Sequence, residues 1–204
     1  LPEVEITRRR IIPLLVGRRI ARVTTTAPSY FYLTHPATLR RCLVGRQVER
    51  LERRGKYLIA DLDDERRLLL HLGMTGQLFG ENASSVRLLS SAAHASLSPG
   101  EQIRFEPDEH THLQIAFEDR GPCVLFRDVR KFGKVRLLQR DDPEPRLDKL
   151  GVDALEVDGA DLFRASRRRK IAIKTLLLDQ AVLAGVGNIY ADEALFWAGV
   201  RPTR

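Results

Sequence analysis

The chain has 204 residues, 43% of them hydrophobic, and a net charge of +7 from 34 Lys and Arg against 27 Asp and Glu. That length holds one large domain or two small ones, and no apolar run approaches the roughly 20 residues of a bilayer span. Cys42 and Cys123, the only cysteines, argue against a disulfide framework and exclude a four-cysteine zinc site, while the basic excess suits a polyanion such as nucleic acid.

Pro2 to Leu15 reads as a helix with Pro in its first turn, acids Glu3 and Glu5 at its positive end, and a stop at Pro13 and Gly17. From Arg18 to about Leu138 the pattern is that of strands. Ile20-Ala-Arg-Val-Thr-Thr-Thr alternates and is β-branched. Gln47 to Glu52 alternates, Arg53-Arg54-Gly55 is the expected turn, and Tyr57 to Leu62 runs back. Leu68 to Leu72 is a short buried strand. Leu113 to Phe117, the turn Asp119-Arg120-Gly121 and Cys123 to Phe126 form a hairpin, and Val135 to Leu138 closes the set. Seven or eight short strands with tight turns predict a β-sandwich or flattened barrel. Between Phe79 and Glu109 the pattern is lost in Ser-rich text, which reads as a mobile insertion.

Asp141 to Glu144 reads as a linker, and helical text follows over Leu147–Leu150, Asp161–Ser166, Ile171–Leu178 and Ile189–Gly199. The fold class is therefore α+β. An N-terminal helix and β-domain occupy 1–140, and a helical domain occupies 145–204.

Five segments carry chemistry. Leu183-Ala-Gly-Val-Gly-Asn-Ile-Tyr-Ala-Asp-Glu-Ala-Leu reads as a turn on Gly185 and Gly187 leading into a helix capped by Asn188. It is either an ordinary helix hairpin or a phosphate site made of backbone N–H groups and a helix dipole. Arg167-Arg-Arg-Lys170 precedes it, as a solvated face or a backbone grip. His71-Leu-Gly-Met-Thr-Gly carries Met74, the sole methionine, and Asp128-Val-Arg-Lys-Phe-Gly exposes Arg130 and Phe132. Apolar wedges with an Arg suit a protein that fills the hole left by an extruded base. Lysines are few in this Arg-biased chain, so Lys56 in Arg53-Arg-Gly-Lys-Tyr-Leu raises the possibility of an amine that must lose its proton, which Arg cannot do.

Together with the opening Leu1-Pro-Glu-Val-Glu and Arg8-Arg-Arg, these motifs resemble the formamidopyrimidine-DNA glycosylase family, with its relatives of the endonuclease VIII type. The resemblance spans nearly the whole chain. It implies an N-terminal helix plus β-sandwich followed by a helix–two-turn–helix domain. It also implies a base-excision-repair glycosylase and abasic-site lyase that removes 8-oxoguanine and formamidopyrimidines from duplex DNA. By the same resemblance Met74, Arg130 and Phe132 fill the void, and Arg169, Asn188 and His110 contact DNA. Lys174 lies near the pocket, Lys56 contacts the lesion-side phosphate and assists proton transfer, and Glu3 is a supporting acid. Val129 and Lys131 depart from the family's usual Pro and Arg.

The family's nucleophile is the secondary amine of an N-terminal Pro followed by Glu, a pair expected two residues ahead of Leu1, so Pro2-Glu3 is the second such pair. The 204 residues are thus expected to be part of a longer enzyme and inactive as a lyase by themselves. No cofactor is expected in them, because the family's zinc belongs to a C-terminal finger beyond Arg204. The implied partner is damaged double-stranded DNA, bound by a monomer in the cytoplasm of a bacterium, at the nucleoid, without a membrane. The competing reading is a non-catalytic lesion- or DNA-binding relative of the same fold.

Overall fold

A computed structural model describes residues 2–80, 97–167 and 169–204. They form two compact units, one of 2–53 with 57–142 and one of 54–56 with 143–204.

The larger unit opens with α1 (Pro2–Leu15), the span expected from the sequence, with Pro13 inside its last turn. Proline has no N–H, so the helix bond from position 13 to the Arg9 carbonyl is missing in that turn. Ile11 and Leu15, four residues apart, are fully buried against the sheets. Eight strands follow: β1 (Ile20–Thr25), β2 (Val48–Arg54), β3 (Tyr57–Leu62), β4 (Arg67–His71), β5 (Gln77–Gly80), β6 (Thr111–Phe117), β7 (Val124–Arg127) and β8 (Lys134–Leu138). They make two four-stranded sheets, ordered β1-β6-β7-β5 and β2-β3-β4-β8. The registers of β3 with β4, β4 with β8, β5 with β7, β6 with β7 and β1 with β6 are all antiparallel. Leu58, Leu68, Leu70 and Val135 of one sheet share a core with Leu113, Ile115, Val124 and Phe126 of the other. This is the sandwich expected from the alternation of the strands.

Three features depart from the sequence reading. A helix, α2 (Pro36–Leu43), interrupts the strand region, with Pro at its start, a His35 cap and buried Leu39 and Leu43. β5 is buried on both faces, so it shows no alternation to read. The expected mobile insertion is ordered at both ends. Phe79 is in β5 and stacks edge-on against Phe105 at 5.4 Å. The Gln77 side chain binds both the N–H (2.9 Å) and the carbonyl (3.0 Å) of Leu97. Ser98 and Glu101 form a reciprocal capping box that starts α3 (Pro99–Ile103). The rest of that stretch, 81–96, lies outside the described residues.

The smaller unit contains α4 (Pro145–Asp148), β9 (Val152–Asp153), α5 (Gly159–Ser166), α6 (Ile173–Leu178), β10 (Leu183–Ala184) and α7 (Asn188–Trp197). β9 and β10 pair in parallel, a two-residue ribbon that sequence alternation is too short to show. Leu177, Leu183, Ala191 and Leu195 form a small separate core. The expected turn at Arg53 to Gly55 is shifted. β2 continues to Arg54, and Gly55-Lys56 make the turn, with Gly55 in the left-handed region at φ +56°.

Candidate nucleic-acid interface

In the larger unit, two loops carry the predicted wedge. Residues 72–76 link β4 to β5, and 128–133 link β7 to β8. Met74 is 47% exposed and Phe132 40%, so neither is core filler. The Arg130 guanidinium lies 4.5 Å from the Phe132 ring centre, and the Tyr30 hydroxyl donates to the Arg130 carbonyl at 2.8 Å. Lys131 adopts a left-handed conformation, φ +58°, which turns the chain sharply before Phe132.

The two loops touch through backbone. At Gly73 (φ +67°) an added Cβ would lie 2.6 Å from the Phe132 carbonyl carbon and 2.7 Å from Gly133 N. Gly73→Ala therefore combines a strained φ with a backbone clash. We expect it to cost roughly 2–4 kcal/mol in urea unfolding.

His110 sits beside this pair of loops. Its side chain is about one-third exposed, 3.8 Å from Glu109, and its carbonyl accepts from Asp128 N at 2.9 Å. His112, two residues on, is fully buried, and burial holds its pKa below the ordinary 6.5. Its Nε2 meets the Asp128 carbonyl at 3.0 Å, so Nε2 carries the proton, and the neutral ring's Nδ1 accepts from Thr26 Oγ1 at 3.1 Å. Glu3 lies half-buried in the first turn of α1.

Glu5, two residues after Glu3, proves to be a structural hub that the sequence reading treated only as a helix-end acid. Arg8 donates to it at 2.7 and 3.0 Å, Arg9 at 2.8 Å and Arg53 at 3.0 Å. These hydrogen bonds, led by Arg8's, outweigh desolvation and lower the Glu5 pKa to about 2.

In the smaller unit, Lys56 Nζ donates to the Val186 carbonyl at 2.7 Å. The Gln180 side chain donates to the same carbonyl at 2.9 Å and to Leu178 O at 2.9 Å, and accepts from Gly185 N at 2.9 Å. Gln180 thus fixes the turn between α6 and α7, a role that no spacing rule reveals. Gly185 takes φ +105°. Gly55 N donates to Asp153 at 3.2 Å, anchoring the Lys56 turn on β9.

Asn188 does not cap α7 as expected. Gly187 holds the cap position without a side-chain bond, and Asn188 is the first helical residue, exposed. Lys56 Nζ would lie 3.6 Å from a Cβ at Gly187. An ammonium, an exposed amide side chain and a helix N-terminus thus gather within one turn. Positive ends placed together favour an anion. Arg169 is exposed and 3.5 Å from Asp179, while Lys174 on α6 pairs with Asp192 on α7 at 2.8 Å. Among the described residues no group of three His, Cys, Asp or Glu could hold a metal ion, and both cysteines are free.

A two-sheet sandwich with a helix–two-turn–helix unit in one chain places the protein in the helix–two-turn–helix class of DNA-repair folds. Residues 1–135 match the formamidopyrimidine-DNA glycosylase N-terminal domain, and residues 150–204 match the formamidopyrimidine-DNA glycosylase H2TH domain. The chain belongs to the formamidopyrimidine-DNA glycosylase family. It is 43% identical over 208 residues to the formamidopyrimidine-DNA glycosylase of Geobacter metallireducens and 42% identical over 207 to that of Pelobacter propionicus. In both cases the match covers all of this chain and 69% of the relative. Among solved structures, it is similar to Lactococcus lactis Fpg in complex with abasic-site DNA, with TM-score 0.80 and 31% identity, over all of this chain and 68% of that one. The same enzyme in complex with FAPY-dG DNA gives 0.79 and 30%, over all of this chain and 69% of that one. No helix among the described residues is long and apolar enough to cross a membrane.

Proposed function

We propose that this chain supplies the DNA grip, the wedge and the lysine of a bacterial base-excision-repair glycosylase and abasic-site lyase acting on oxidised purines in duplex DNA. The observation that carries the reading is the exposed pair Met74 and Phe132 on two buried-anchored loops, with Arg130 over the Phe132 ring. Exposed apolar side chains on rigid loops cost solubility, and filling a gap in a base stack gives them a use. Relatives that bind abasic-site and FAPY-dG DNA support the substrate class.

The chemistry follows from an amine and carboxylates. A proline amine placed ahead of Leu1 attacks C1′ of the extruded nucleotide, the N-glycosidic bond breaks, and the base leaves with a proton. The C1′–O4′ bond of the aminal so formed then opens, O4′ taking a proton, to give an iminium; this draws electrons as a C2′ proton is lost with the 3′ phosphate and then a C4′ proton with the 5′ phosphate. A free α-amine has a pKa near 8, so a useful fraction is neutral at working pH. Lys56 holds the phosphate and moves a proton, Glu3 supports the nucleophile, and Arg169, Lys174, Asn188 and His110 serve the DNA side. The bacterial origin of the relatives supports a place at the nucleoid. Among the described residues no cluster of His, Cys, Asp or Glu fits a zinc site.

Borohydride trapping tests the reading. The chain preceded by Pro-Glu and the chain beginning at Leu1 are each mixed with an 8-oxoguanine duplex and reduced. A covalent adduct with the first and none with the second is expected. Lesion-selective binding with no adduct from either makes the protein a non-catalytic reader.

A further inference from the structure

Met74 and Phe132 project into solvent, so their own packing cannot fix where they point. Their positions must come from the loop backbones, and one buried side chain joins those backbones. Asp128 is 0% exposed. One of its carboxyl oxygens accepts from the Thr75 hydroxyl, next to Met74, and from Arg130 N at 3.3 Å. The other accepts from Gly133 N at 2.6 Å, next to Phe132. Its backbone is held as firmly, by His110 O, by Lys131 N at 3.2 Å and by the neutral His112 ring. Thr75 is itself 1% exposed and also meets Arg130 N at 3.4 Å.

A buried carboxyl group is costly unless each oxygen is satisfied. Among the described residues it is satisfied only by donors of the two wedge loops, one hydroxyl and two backbone amides. No arginine or lysine side chain is among these donors, so the arrangement is not an ion pair serving general stability. It fixes the spacing of two particular loops.

We propose that Asp128, with Thr75, is the positioning residue that sets Met74 and Phe132 as a single wedge and so determines how fully the protein fills an emptied base stack. This rests on the wedge reading given above. Asp128 is fully buried and acts through the loops.

The test uses the 204-residue chain and a duplex with a tetrahydrofuran abasic-site analogue, carrying 2-aminopurine next to the gap. Affinity and 2-aminopurine fluorescence are read separately. Phe132→Ala reports on the wedge reading, because it must alter the fluorescence change seen with the unaltered chain. Thr75→Val keeps the side-chain shape and removes the hydroxyl, and Asp128→Asn turns one acceptor into a donor facing an N–H. Both are expected to cut the fluorescence change on the order of fivefold while affinity, held by phosphate contacts, falls about twofold to threefold. Thr75→Ser is expected to restore the signal. A folded Thr75→Val with the full fluorescence change overturns the positioning role while leaving the wedge intact. A Phe132→Ala protein with an unchanged signal overturns the wedge reading, and the positioning role with it.

Discussion

Replacing Glu5 by Ala is expected to lower the unfolding free energy by about 3 kcal/mol. Glu5 and Arg53 are 11% and 8% exposed, so truncating the acid leaves Arg53 with a buried partner missing, while Arg8 and Arg9 lose theirs nearer solvent. The pH dependence has a definite sign. The Glu5 pKa falls from 4.5 to about 2 on folding, so its contribution is complete above about 4.5 and is lost as pH falls towards 2. Over that window the shift corresponds to about 3 kcal/mol. His112, whose pKa is also lowered, adds an earlier loss that begins as pH falls below its ordinary 6.5, because the unfolded chain takes up a proton that the buried ring resists. Urea titrations between pH 7 and 2.5 are expected to show both phases, and Glu5→Gln is expected to flatten the lower one. An unchanged lower phase in Glu5→Gln would show that the arginines draw their stability from elsewhere.

The second large effect is expected at Lys56. In the chain extended by Pro-Glu, Lys56→Arg keeps the positive charge near the start of α7 and the reach to the Val186 carbonyl, so duplex affinity changes by no more than about threefold. A guanidinium does not release a proton, so strand nicking at 8-oxoguanine is expected to drop on the order of 10²–10⁴-fold, the usual worth of a placed acid–base group. Single-turnover nicking beside a gel-shift titration separates the two. Equal losses of affinity and nicking would make Lys56 a phosphate anchor only.

The site was unevenly legible in the sequence. Met74, Arg130, Phe132, Lys56 and Asn188 stand in compact motifs, where glycines and residue order carry the pattern. The hairpin of β6 and β7 and the helix α1 were read from alternation, turn residues and terminal charge. Other elements were hidden for identifiable reasons. β5 is buried on both faces and shows no period. α2 has His at its cap, an uncommon capping residue, and is only eight residues long, with Pro36, Leu39 and Leu43 buried. The ordered part of 97–109 depends on Gln77 reaching Leu97 across 20 residues, which no local pattern reports.

What the sequence determined by itself was the class of elements, the basic character and the compact motifs that carry the candidate side chains, since periodicity, capping and charge are local properties. What only the tertiary structure decided was which buried polar groups hold those side chains in place. Glu5 finds Arg53 from 48 residues away, Asp128 finds Thr75 from 53, and Lys56 shares the Val186 carbonyl with Gln180 from 130. Such pairings form because folding removes water from each group and leaves it only the partners packed within reach. That choice is set by the packing of the sheets and helices, which no single segment contains.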